Sequence, residues 1–155
     1  MSRDRSGFTL FELLTTIVLI GIVLGIAYPR IMQMSQGVSL RSARGALITA
    51  LNVAKSSAIV SGKCSYLKLA SNAVTVFTRA CQGGTQLEVV SSRNFGTDYG
   101  VTTTLTQGTG TAGTTDSIGF DPRGIPINNA QTVTFTVTKG SNTRDVVVGQ
   151  YGRIQ

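Results

Sequence analysis

Gly7-Phe8-Thr9-Leu10-Phe11-Glu12-Leu13-Leu14 opens the part of the chain that decides its fold, because it sets one carboxylate at the edge of an unbroken apolar run. From Leu13 to Tyr28 no side chain carries a charge. Counted from Phe8, the run covers about 21 residues, which at ~1.5 Å per helical residue is roughly 32 Å, enough to cross a hydrocarbon core of about 30 Å. A carboxylate is costly in lipid and calls for a partner. An ammonium exposed by cutting the chain between Gly7 and Phe8 would supply one for Glu12. Two other readings use the same stretch. An ordinary secretory signal could be cut after Gly25-Ile26-Ala27, although its apolar core should be shorter and has no use for Glu12. A membrane anchor that is never processed would not need Glu12 either.

Working outward, Pro29 falls inside the helical pattern, where it removes one backbone hydrogen bond and bends or loosens the helix. Gly21 and Gly25 form a small-x-x-x-small pair that permits close helix contact in a membrane. From Met34 to about Ser61 the pattern is amphipathic. Ala43, Ala46, Leu47, Ala50, Ala54, Ala58 and Ser61 recur three or four apart, while Arg41, Arg44, Asn52 and Lys55 fall largely elsewhere. One long helix is therefore predicted, its small apolar face against a sheet and its other face open to neighbouring helices, with Gly62 ending it.

Beyond Gly62 the period changes to two. Cys64 to Ala70 and Ala73 to Arg79 alternate around Ser71-Asn72, which predicts a hairpin. Pairing Ala70 with Ala73 places Cys64 nearly opposite Arg79, so a small offset brings Cys81 within bonding range. Further strands are predicted at Leu87 to Val90, Gly100 to Thr106, Ser117 to Asp121, Thr132 to Lys139 and Arg144 to Val148, with a short one at Tyr151 to Ile154. If the anchor directs the domain out of the cytosol, a Cys64–Cys81 disulfide is the default, contributing about 3 kcal/mol in the chain-entropy model. Two unpaired buried thiols are the alternative. The fold class is α+β, a long N-terminal helix on an antiparallel sheet.

Composition narrows the function. The chain has 155 residues and no histidine, which removes the commonest general base and metal ligand, and its two cysteines are too few for a structural zinc site. No nucleophile with a base, no carboxylate pair at a recognisable spacing and no cofactor motif is visible, so neither enzymatic activity nor a metal or other cofactor is expected. Gly108-Thr109-Gly110-Thr111-Ala112-Gly113 has the spacing of a dinucleotide-binding turn, but no helical period follows it, and it reads as a surface loop. Asp121-Pro122-Arg123-Gly124 has the chemistry of a β-turn. The net charge is +7, falling to +6 if Arg3, Asp4 and Arg5 are removed. Such a balance is compatible with nucleic acid or anionic surfaces and decides nothing alone.

Gly7, Phe8 and Glu12, with Arg3 and Arg5 before them, resemble the class III signal of type IV pilins and type II secretion pseudopilins. Pro29 also sits where pilins commonly carry a proline. Leu51 to Ile59, Ile118 to Gly124 and Gly149 to Ile154 resemble parts of the GspH/FimT domain. The resemblance implies a leader at 1–7, a membrane-spanning assembly helix at 8–28, an amphipathic continuation at 29–62 and a β-rich globular domain at 63–155. It implies cleavage between Gly7 and Phe8 by a prepilin peptidase, N-methylation of Phe8, and neutralisation by Glu12 of the amine of a neighbouring subunit.

The implied partners are other major and minor pilin or pseudopilin subunits, the peptidase, the membrane and an inner-membrane assembly platform. The implied location is the bacterial inner membrane with a periplasmic domain, then the filament at the cell surface. A minor pilin of a type IV pilus is the leading expectation, and a minor pseudopilin of a type II secretion system the alternative. Some members of the family bind DNA for natural transformation through a C-terminal Gly-Arg-x-Arg element. This chain has Gly152 and Arg153 but Gln155 in place of the second arginine. Arg153, Arg144, Lys139 and Arg123 would form a DNA-binding patch if their strands lie together, making a DNA-uptake receptor the further alternative; a solvated basic surface or a subunit interface would use the same residues.

Overall fold

The computed structural model describes residues 9–81, 88–107, 115–127 and 132–155. The chain forms two compact units, Met1–Ser35 and Gln36–Gln155. Helix α1 (Leu10–Ser61) runs uninterrupted through Pro29 and contributes to both.

In the first unit the helix begins with Thr9 as its cap. The Glu12 amide donates to Thr9 Oγ1 at 3.2 Å and the Leu13 amide to Thr9 O at 3.1 Å. Thr9 and Glu12 have the spacing of a capping box, and Glu12 stands in the first turn, where a negative charge complements the helix dipole. Every large apolar side chain from Leu10 to Met34 is more than half exposed. This surface is long and apolar enough to cross a membrane.

In the second unit α1 buries Leu40, Ala43, Leu47, Leu51, Ala54 and Ala58, a stripe at spacings of three and four. The expected stripe was rotated slightly: Ala46 and Ala50 lie on its half-buried flank, Ser61 is exposed, and Leu40 and Leu51 take the central places. Larger side chains reach the sheet where alanine would leave a gap, so the leucines set the rotation. Gly62, at φ +64°, ends the helix as expected.

Strands β1 (Cys64–Ala70) and β2 (Ala73–Arg79) pair antiparallel with Ala70 opposite Ala73 and Cys64 opposite Arg79, the predicted hairpin and register. Ser71 and Asn72 both take positive φ, as a tight hairpin of right-twisted strands requires. Strand β3 (Glu88–Asn94) follows, longer than predicted at its C-terminal end, and Leu87 lies outside the described residues. Then come a short helix α2 (Phe95–Tyr99), β4 (Thr102–Gln107), β5 (Thr115–Phe120), β6 (Val133–Lys139) and β7 (Asn142–Val148). One sheet has the order β3-β2-β1-β5 and the other β4-β6-β7.

Both sheets and the second half of α1 share one core, with Leu67, Val76, Ile118 and Phe120 from the first sheet and Leu105, Phe135, Val137 and Val146 from the second. Helix α2 was not predicted. Asn94 caps it by accepting from the Gly96 and Thr97 amides, and Phe95, 1% exposed, anchors it in the core. The predicted strand at Tyr151 to Ile154 is instead a turn followed by a single bridge between Ile154 and Val148, with Gln155 and Val147 exchanging backbone hydrogen bonds. Asn72 ties these parts together. Its carbonyl accepts from the Phe95 amide and its side-chain oxygen from the Thr103 amide, both at 2.9 Å, linking the hairpin to α2 and β4.

Candidate functional site

Gly7 and Phe8 lie outside the described residues, so the placed part of the processing segment begins at Thr9. Glu12 is exposed, and among the described residues it takes part in no ion pair. A partner that neutralises it lies outside the described residues.

Cys64 and Cys81 form a disulfide, with Cα atoms 4.9 Å apart across a sequence separation of 17. Neither is free, so the thiol alternative falls away. The bond joins the first residue of β1 to a residue just past the end of β2 and closes the open end of the hairpin next to the end of α1. Beside it, on the same face of the strands, Tyr66 and Phe77 stack at 5.7 Å and the Arg79 guanidinium lies 4.1 Å over the Tyr66 ring. That cation–π contact occupies Arg79 within the fold.

The four basic residues expected to share a patch divide into separate settings. Lys139, at the end of β6, donates from Nζ to Ser39 Oγ and to the Tyr99 carbonyl, both at 2.9 Å. It fastens β6 to α1 and α2, and its ammonium is half-buried in that role. Arg144, on β7, is exposed and borders a groove with Arg41, Arg44 and Asp145. Within it Arg44 Nε donates to the Asp145 carbonyl at 3.0 Å, and Thr136 Oγ1 donates to Asp145 Oδ1 at 2.8 Å.

Arg123 and Arg153 sit on two turns that touch. Gly152 has φ +74°, and a Cβ built on it would lie 2.5 Å from the Gly124 carbonyl oxygen, so only glycine lets these turns meet. Lys55 Nζ donates to the Gly152 carbonyl at 3.0 Å, fixing the turn before Arg153 to the helix. Arg123 pairs with Asp121 at 3.1 Å while its side chain remains 81% exposed. Burial disfavours the charged form of Asp121, but hydrogen bonds from the Ile125 amide and from the Arg123 side chain and amide, together with the charge of Arg123, outweigh it. They hold the carboxyl below the usual carboxylate range.

The structure thus brings together the turns that carry Arg123 and Arg153, places Arg144 with two arginines of α1, and commits Lys139 to packing. Arg41, Arg44 and Lys55 are the basic residues missing from the expected patch. Their place off the apolar stripe was readable; their meeting with β7 and the C-terminal turn depends on long-range topology. Among the described residues no group of three metal-ligating side chains is assembled, and the Gly108–Gly113 stretch lies outside them.

A long helix with an exposed apolar first part and a second part buried against antiparallel sheets defines the pilin class of fold. Residues 43–152 match the family described as type II transport protein GspH, and residues 2–28 match the prokaryotic N-terminal methylation motif. The chain belongs to the GspH family and is a GspH/FimT-like pilin. Among solved structures it is similar to the type IV minor pilin FimU of Pseudomonas aeruginosa in two crystal forms. One aligns with TM-score 0.58 at 18% identity, covering 79% of this chain and 90% of that one. The other gives 0.55 at 19%, covering 75% and 90%. At that identity the likeness shows the fold. A search of curated proteins finds no match. Family membership carries with it processing by a prepilin peptidase, anchoring in a membrane and assembly with other pilin subunits.

Proposed function

We propose that the chain is a minor pilin of a type IV pilus. Prepilin peptidase cuts it between Gly7 and Phe8 and Phe8 is N-methylated. The helix holds it in the inner membrane with the globular domain in the periplasm, and the assembly platform draws it into the filament, at its tip or in the initiating complex. The observation that carries this reading is the first half of α1, whose large apolar side chains are all more than half exposed and whose single carboxylate, Glu12, has no ion-pair partner among the described residues. Such a surface needs lipid or other helices to cover it. The likeness in fold to a type IV minor pilin supports the pilus reading, while the family description, type II transport protein GspH, supports a type II secretion pseudopilus as the alternative. The role is structural rather than enzymatic. Mass spectrometry of the protein recovered from sheared filaments tests it. A first residue of N-methylated phenylalanine is expected; a product starting elsewhere, or release of the chain only by the secretion system, would replace the reading.

A second reading, a DNA-binding subunit on the same filament, is favoured by the contact between the turns that carry Arg123 and Arg153. Phosphate contacts would give a strongly salt-dependent affinity, and Arg153→Ala should weaken binding and lower the salt slope by about one. A mobility-shift titration of the mature chain in detergent checks this, and failure of both proteins to bind at low salt removes the DNA role.

A further inference from the structure

We propose that the groove between α1 and β7, bordered by Arg41, Arg44, Arg144 and Asp145, is a docking site for a carboxylate-bearing segment of a different filament subunit. The proposal rests on the pilin reading above. Arg41 and Arg44 are three residues apart on the helix and therefore neighbours, and Arg144 approaches them from the strand. Three guanidinium groups thus border one groove. Among the described residues the side chains of Arg41 and Arg144 make no hydrogen bond or ion pair, and Arg44 spends only Nε, on a backbone carbonyl. Asp145, the single acid present, is held by Thr136 and forms no ion pair either. With three cations and one acid the groove carries an excess of positive charge, which attracts a further anion.

The chemistry of that anion follows from the groove itself. Guanidinium forks match carboxylates and phosphates alike. A nucleic-acid strand, however, would bring a repeated line of charge against the exposed Asp145, whereas one or two carboxylates can pair with the arginines and avoid it. Val38, one turn before Arg41 on α1 and 59% exposed, adds an apolar contact beside the charges, a mixture proper to a protein interface. Among its described side chains a second copy of this chain offers no acid as an obvious occupant. Of its acids with described side chains outside the apolar helix, Asp98 lies 3.9 Å from Arg93, Asp121 pairs with Arg123, and Asp145 stands in the groove already. The occupant assigned here is therefore an acidic segment of a different subunit.

The test replaces Arg41 and Arg144 by glutamate together in the full chain, in cells that assemble the filament. Arg44 is left intact because its bond to β7 is structural. Processing and membrane level should be unchanged, while the amount in sheared filaments should fall about tenfold, since reversed charge at an interface both slows encounter and repels. Arg41→Gln with Arg144→Gln, which adds no repulsion, should fall between. A photo-crosslinker at position 38 should capture, in the wild type, a different pilin subunit through a peptide containing Asp or Glu, and charge reversal in that peptide should restore the glutamate variant. Unchanged incorporation of both variants overturns the proposal, as does a crosslinked peptide without acids. Loss of duplex-DNA retention by the glutamate variant with normal filament content would overturn it in favour of nucleic acid. Absence of the wild-type chain from filaments would instead overturn the pilin reading on which the proposal stands.

Discussion

At Asp121 a single carboxylate organises a turn, accepting from the amides of Arg123 and Ile125 at 2.9 Å each and pairing with the Arg123 guanidinium. Because these bonds lower its pKa in the folded state, the native protein binds fewer protons than the unfolded chain as pH falls past the unfolded value of about 3.9. The stabilisation is present above that pH and is lost as pH falls through the folded pKa. Asp121→Asn should therefore cost about 1 kcal/mol at neutral pH, and its unfolding midpoint should converge on that of the wild type in acid, measured by urea titration at several pH values. Arg123 is too exposed for the ion pair itself to contribute much of this. Gly152→Ala acts differently. It puts a Cβ against the Gly124 carbonyl oxygen at a left-handed backbone position, so a loss of about 2 kcal/mol or more is expected in the same titration. The turn at Asp121 was legible because Asp, Pro and Gly each have a local preference. The need for Gly152 was not, since it arises from a turn nearly thirty residues earlier in the sequence coming to meet it.

At the scale of elements, the β1–β2 hairpin shows how far local chemistry reaches. Alternation fixed its strands, Ser71-Asn72 fixed its register, and the register carried Cys64 to within reach of Cys81. Replacing both cysteines by serine should cost about 3 kcal/mol, measured as the shift in unfolding free energy of the mature chain, without changing the strand content seen by circular dichroism. Helix α2 shows the opposite case. Asn94 and Gly100 flank it as caps, yet five residues carry too few turns for a hydrophobic period, and it exists because Phe95 is drawn into the core. The stripe on α1 shares Ala43, Leu47, Ala54 and Ala58 with the one its periodicity predicts. Its rotation is set by Leu40, Leu47 and Leu51 meeting two sheets whose arrangement no short window of sequence contains.

Over the whole molecule, the apolar first part of α1 and the mixed core of the second unit obey different rules. One is apolar around its circumference and suited to lipid or packed helices; the other is apolar on a single stripe and suited to water outside. This division was the most legible feature of the chain because it extends over dozens of residues. Glu12 belongs to that scale, since nothing in its own subunit among the described residues pairs with it. Glu12→Ala should leave membrane insertion intact and reduce the amount of the protein in sheared filaments, compared by immunoblot with the membrane fraction; equal incorporation would remove Glu12 from assembly. The basic residues were legible as a count and not as a surface, because their grouping depends on which strand lies beside which flank of α1. That grouping has a mechanical consequence. With the turn before Arg153 pinned by Lys55 and wedged against Gly124, the last residues are no dangling tail, and the backbone from which Arg153 projects is anchored to the helix and to a second turn. A partner that grips the end of this chain therefore pulls on the helix itself and not on a loose strand of backbone.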